Sequence, residues 1–126
     1  MVHGVDIVEI DRIEDLLRTH EQRFTTRVFT ESECRYADSF PSGRAARYAA
    51  RFAAKEAVFK ALATGWSGGI RWQDVGVTHA TGGQPRVSLT GHAAELASKL
   101  GITDWVISLS HSRGLAMASV IGRKDR

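Results

Sequence analysis

The 126 residues include a single cysteine and only two prolines, and no apolar run is long enough to span a membrane. With Cys34 alone, no intrachain disulfide and no cluster of thiolates for a soft metal can form, so a reducing cytoplasm is the expected setting. Neither a histidine nor a second cysteine flanks Cys34, which therefore reads as a small half-buried side chain rather than an activated nucleophile. Met1 is not followed by a basic start and an apolar block, so no export signal is expected. Charge of one sign is in small excess: the net charge is +3 and the pI about 9.4, which permits an anionic partner without naming one. The arginines are dispersed and carry no base-stacking motif between them, which argues against a nucleic-acid-binding module.

What remains is an ordinary globular composition, 43% hydrophobic and 25% charged, in a length that fits one domain spanning residues 1–126. The β-branched segment His3–Ile10 reads as a strand entered at Gly4. Asp11 and Glu14 form an acidic capping pair that should open a helix, and Thr30 with Glu33 forms a second that opens a short helix ending before Pro41. Ser42 is the expected cap of the longest helix, from about Gly43 to Ala63, because alanine is frequent there and no breaker intervenes before Gly65. Two β-like runs flank Gly82, Gly83, Gln84 and Pro85 as a hairpin, and a helix opens at Thr90 or Gly91 and runs to Leu100. "WVISLSHS" and "LAMASVIG" close a second hairpin around "SRG". The order predicts an α+β fold, a mostly antiparallel sheet packed with one long and several short helices, since tight connections leave no room for crossovers.

The stretch "FAAKEAVFKAL" places charges among alanine and phenylalanine. At 100° per residue, Glu56 and Lys60 share a face with Ala49, Phe52 and Ala53, whereas Lys55 sides with Tyr48, Arg51 and Phe59. A solvated Glu–Lys pair would contribute only about 0.3–0.5 kcal/mol, and its apolar flanks favour a cleft or contact instead. Strand alternation sets Asp6 with Gly4 and Val8, opposite Glu9, so a carboxylate is held among apolar neighbours and needs compensation. Asp6 could cap a helix or pair with an arginine. Alternatively, Asp6 and Glu56 could share a divalent cation, and two carboxylates without a cysteine or histidine cluster describe a hard-cation site, Mg²⁺ in particular.

"GVDIVEIDRI", "RFAAKEAVFKAL" and "SLSHS", in this order and at these separations, resemble the holo-acyl-carrier-protein synthases, the small-subunit type of 4′-phosphopantetheinyl transferase; "GGQPRVSLTG" extends the likeness over nearly the whole chain. The resemblance implies that fold, and Mg²⁺-dependent transfer of phosphopantetheine from coenzyme A to a serine of apo-acyl carrier protein, releasing adenosine 3′,5′-bisphosphate in support of fatty-acid synthesis. It puts Asp6 and Glu56 on the metal and Lys60 on the pyrophosphate, where a fixed cation offsets charge on the leaving group. Arg51 and Lys55 match positions beside the coenzyme phosphates, and Ser110, His111 and Ser112 match nucleotide contacts. The loop from Ala63 to Gly69 matches a glycine-bearing turn against coenzyme A, with Thr64 and Gly65 keeping the pattern and Ala63 departing from it. Arg12, Arg23, Phe24 and Arg27 match the segment that grips the carrier protein. Similar enzymes are homotrimers with active sites between subunits, which would use both sides of the long helix. The base that takes the serine proton stays open among Glu56, Glu9 and a water on the metal, with the water favoured because a ligating carboxylate is less basic. A Mg²⁺-dependent phosphohydrolase using the same carboxylates is the rival enzyme.

Overall fold

The computed structural model describes residues 1–62, 69–80 and 82–124. Strand β1 (Val2–Glu9) runs into helix α1 (Ile10–Val28), followed by α2 (Glu31–Asp38) and α3 (Arg44–Ala61). A 3-10 turn, Trp72–Asp74, stands where the first part of a β run was expected and leads into the hairpin β2 (Val75–His79) and β3 (Pro85–Leu89). Helix α4 (Gly91–Lys99) precedes the last hairpin, β4 (Asp104–Ser112) and β5 (Leu115–Arg123). All pairings are antiparallel: a three-stranded sheet in the order β1-β5-β4 and a separate two-stranded sheet of β2 and β3. The expected α+β order therefore holds.

Local chemistry explains the boundaries. Thr30 Oγ1 accepts from Glu33 N at 3.2 Å while Glu33 Oε1 accepts from Thr30 N at 2.8 Å, the reciprocal capping box that starts α2. Two helix starts differ from expectation. Glu9, with no side-chain cap bond, precedes α1, and Asp11 lies inside the first turn, where a carboxylate favours the positive end of the helix dipole. Gly43, not Ser42, caps α3: the chain takes a left-handed turn there (φ 75°), which glycine adopts without a Cβ penalty. Helix α1 is interrupted at His20 (φ −140°, ψ 40°) and then continues to Val28. Arg113 (φ 50°) and Gly114 (φ 81°) form the two-residue turn of the last hairpin.

Helix α3 is the centre of the molecule. Tyr48, Ala49, Ala53, Ala54, Ala57 and Val58 have no exposed surface, because the helix packs against β1 and β5 on one side and α2 and β2 on the other. The alanines let the strands approach its backbone. At Gly4 the approach is extreme: a Cβ there would lie 1.9 Å from the Ala57 carbonyl oxygen. Aromatic rings fill the remaining volume, with Phe24 on Phe29 at 5.4 Å, Phe29 on Tyr48 at 4.8 Å and Phe52 on Trp72 at 5.0 Å between centroids.

Candidate active site

The close contact of β1 with α3 carries Asp6 to the helix face bearing Glu56 and Lys60. Lys60 Nζ donates to Asp6 Oδ1 at 2.7 Å and to the Val5 carbonyl at 3.1 Å. The Asp6 side chain is 13% exposed and that of Lys60 55%, so the pair sits at the edge of the interior with the ammonium facing water. Glu56, one helical turn before Lys60, is half-buried. Burial and the neighbouring Asp6 push its carboxyl above the ordinary value of 4.5, against the opposite pull of Lys60 and Arg12. Asp6 and Glu56, beside a lysine and an arginine, thus form one charged cluster where β1 meets α3. Of the residues expected here, Asp6, Glu56 and Lys60 come together, and Arg12 joins them from the first turns of α1.

Among the described residues, no group of three or more His, Cys, Asp or Glu could enclose a metal. The Asp6–Glu56 donor set fits an ion that takes one or two carboxylates and fills its other positions with water and phosphate oxygens. A divalent ion would also offset the burial and the Asp6 charge that disfavour the Glu56 anion.

A second cluster lies on the other side of α3. A groove of about 370 Å³ is lined by Arg47 and Arg51 of α3, Tyr36 of α2, His79 of β2 and Ser110 and His111 of β4, among others. Arg51 is 3% exposed; its Nη2 hydrogen-bonds His79 Nε2 at 2.7 Å, its Nη1 donates to the Arg47 carbonyl at 3.2 Å, and Nε is buried without a partner. The structure thus unites Arg51, Ser110 and His111, while Ser112 stands exposed at the end of β4 opposite Leu115, outside that lining. None of Asp6, Glu56 or Lys60 lines this groove. Two wider clefts, about 690 Å³ beside Arg27 and Arg71 and about 620 Å³ between α1 and the start of α3, include none of Asp6, Glu56, Lys60, Arg51, Ser110 or His111 in their lining. Charge, not volume, marks the site.

Two expectations are corrected. Lys55 does not face a ligand groove: it is wholly buried, paired with Glu33 Oε1 at 2.8 Å and donating to the carbonyls of Trp72 and Val75. Its three ammonium hydrogens are thereby used inside the protein, and burial lowers its pKa against the pull of Glu33. Phe24, expected at the carrier-binding surface, is buried with Ile13, Leu17 and Val28 on the inner stripe of α1, while Arg12, Arg23 and Arg27 are exposed. Thr64 and Gly65, with Ala63, lie outside the described residues. Sequence reasoning missed Tyr36, Arg47 and His79; the pairing of His79 with Arg51 leaves no local signal, because 28 positions separate them.

Strand β1 against a helix that carries Glu56 and Lys60, with a terminal hairpin bringing Ser110 and His111 to its far side, defines a phosphopantetheinyl transferase architecture. The profile of the 4′-phosphopantetheinyl transferase superfamily matches residues 3–110, and the chain belongs to that family. Its curated relatives are holo-[acyl-carrier-protein] synthases; that of Solibacter usitatus is 43% identical over 118 residues, covering 94% of each chain. The crystal structure of the Neisseria meningitidis holo-[acyl-carrier-protein] synthase superposes with a TM-score of 0.87 at 29% identity, over 98% of this chain and 100% of that one. The Helicobacter pylori enzyme, solved in complex with coenzyme A, gives 0.84 at 28% identity over 96% and 99%.

Proposed function

We infer that this chain is a holo-acyl-carrier-protein synthase that moves 4′-phosphopantetheine from coenzyme A to a serine hydroxyl of apo-acyl carrier protein. The observation that carries the reading is the convergence of Asp6, Glu56 and Lys60 where β1 meets α3. In the reaction the serine oxygen bonds to the β-phosphorus, the bond from that phosphorus to the bridging oxygen breaks, and adenosine 3′,5′-bisphosphate leaves with the electron pair. Lys60, half exposed and held by Asp6 and the Val5 carbonyl, is placed to neutralise the charge that grows on the leaving group. With Glu56 holding the ion its basicity would fall, so a water beside Asp6 and Glu56 is the better acceptor for the hydroxyl proton. Glu9 is a poorer base because strand alternation turns it to the opposite face from Asp6. Mg²⁺ held by Asp6 and Glu56 would supply Lewis-acid polarisation of the donor pyrophosphate.

The second cluster belongs to the nucleotide end of coenzyme A, with Arg51, Ser110 and His111 as its contacts. In one chain it stands across α3 from Asp6 and Glu56, so a complete site needs a second copy. The outer face of the β1-β5-β4 sheet offers the means: Val5, Ile7, Leu115 and Met117 are exposed on it, Ile7 by 59%, with Val106 further along β4. We place three chains around these faces, so that the Asp6 half-site of each meets the Arg51 half-site of a neighbour. The acidic carrier docks beside Arg12, Arg23 and Arg27. A cytoplasmic location accords with free, half-buried Cys34, and no described helix is long and apolar enough to cross a membrane.

Incubation with coenzyme A, Mg²⁺ and apo-acyl carrier protein tests the whole reading by mass spectrometry. A carrier heavier by one phosphopantetheine supports it. Phosphate release with an unchanged carrier would instead favour hydrolysis.

A further inference from the structure

The Arg51 side chain is held by two aromatic groups that its own helix does not supply. Its guanidinium carbon lies 4.2 Å from the Tyr36 ring centroid. The His79 ring stacks on Tyr36 at 4.1 Å and 17°. Guanidinium and imidazole are also hydrogen-bonded to each other at 2.7 Å, so both must lie on the same face of the tyrosine ring, edge to edge; on opposite faces the two stacking distances would keep them apart. A guanidinium can only donate, so His79 Nε2 is an acceptor and the imidazole is the neutral tautomer protonated at Nδ1. Arg51 Nε meanwhile remains buried without an acceptor, the one such side-chain atom among the described residues. A native structure rarely leaves such a donor unfilled unless a ligand or water completes it.

We propose that His79 is a positioning residue for coenzyme binding: seated on Tyr36, it accepts from Arg51 Nη2 and so fixes the guanidinium in the groove shared with Ser110 and His111. This rests on Arg51 being a coenzyme contact. Without the acceptor, the guanidinium would keep the Arg47 carbonyl and its contacts with Tyr36 but lose the bond that directs Nη2. The arrangement also works only while His79 is neutral. Burial and the Arg51 charge both lower the His79 pKa below its ordinary 6.5, which keeps the acceptor available at neutral pH. The charged or titratable groups that line the groove with the imidazole are Tyr36 of α2, Arg47 and Arg51 of α3 and His111 of β4, and the charge of Glu33 of α2 also acts on Arg51; no carboxylate is among the described lining residues.

The test compares His79→Phe, which can stack but not accept, with His79→Gln, which can accept, using the full chain. The readouts are calorimetric binding of adenosine 3′,5′-bisphosphate and the steady-state KM and kcat with coenzyme A. His79→Phe is expected to weaken nucleotide binding and raise KM roughly five- to tenfold with little change in kcat, and His79→Gln to restore most of the loss. Wild-type affinity should fall more steeply than that of His79→Gln as the pH drops below 6.5. Equal losses in the two variants, or superimposable pH profiles for wild type and His79→Gln, would overturn the acceptor role. Arg51→Met separates the two layers of the reading. If it weakens binding while His79→Phe does not, His79 has no positioning role and Arg51 keeps its contact; if Arg51→Met changes nothing, both assignments fall.

Discussion

Lys60 Nζ stands 2.7 Å from Asp6 Oδ1, joining residues 54 positions apart across the close contact of β1 with α3. With the lysine more than half exposed, the pair adds little to stability, of the order of 0–1 kcal/mol. Its value is positional. Asp6→Asn and Lys60→Met should each lower kcat by about 100-fold or more while leaving the unfolding transition within a few degrees of wild type. Turnover assays paired with thermal melts check both halves of this expectation.

Glu56 should trade stability for function. Its folded pKa is raised, so the ionised form is disfavoured by the fold. The resulting penalty is absent well below pH 4.5, grows as the pH rises, and is complete above the folded pKa. Glu56→Gln is therefore expected to melt at a higher temperature than wild type near neutral pH, with the two converging in acid, and to be inactive. Mg²⁺ should raise the melting temperature of wild type but not of Glu56→Gln or Asp6→Asn. Melts at pH 4 and pH 7, with and without Mg²⁺, decide the point.

The Lys55–Glu33 pair is a structural joint between α2, α3 and β2. Glu33 Oε2 accepts from Val77 N at 2.7 Å in addition to its bond with Lys55, and both residues are buried. Lys55→Met should cost roughly 3–5 kcal/mol because it leaves a carboxylate buried without its cation. Adding Glu33→Gln should return part of that loss, since a neutral amide needs no countercharge. Urea denaturation of the single and double variants measures the coupling.

Gly4→Ala should be among the most damaging small substitutions. Its Cβ would meet the Ala57 carbonyl, which is helix backbone and cannot rotate away. A loss of about 3 kcal/mol or outright failure to fold is expected, read by circular dichroism and expression of soluble protein.

Ile7→Glu and Met117→Glu should separate the chains without unfolding them. Both side chains are exposed on the outer sheet face, in register with each other. On the proposed shared-site arrangement, sedimentation should shift from trimer to monomer and activity should fall with it, because each half-site would lose its neighbour. A monomeric wild type of full activity would remove the shared-site arrangement.

The capping box of Thr30 and Glu33, the inward parity of Asp6 and the shared face of Glu56 and Lys60 were all legible in the sequence, because each depends on a repeat of two or 3.6 residues within one element. The burial of Phe24 was legible too, since Ile13, Leu17 and Val28 fall on the same helical stripe. Lys55 was not. Helical phase turns it away from Glu56, but whether that other side meets water, a ligand or a second sheet depends on where β2 and α2 pack.

The sequence by itself determined the elements, their order and the pair of acidic residues at β1 and α3, since hydrophobic period, caps and turns act over a few residues. Only the tertiary structure decided that Lys55 is an internal brace, that Arg51 leans on Tyr36 and His79, and that the two clusters stand on opposite sides of α3. Those relations join residues tens of positions apart, and burial and direction arise from packing that no local pattern encodes.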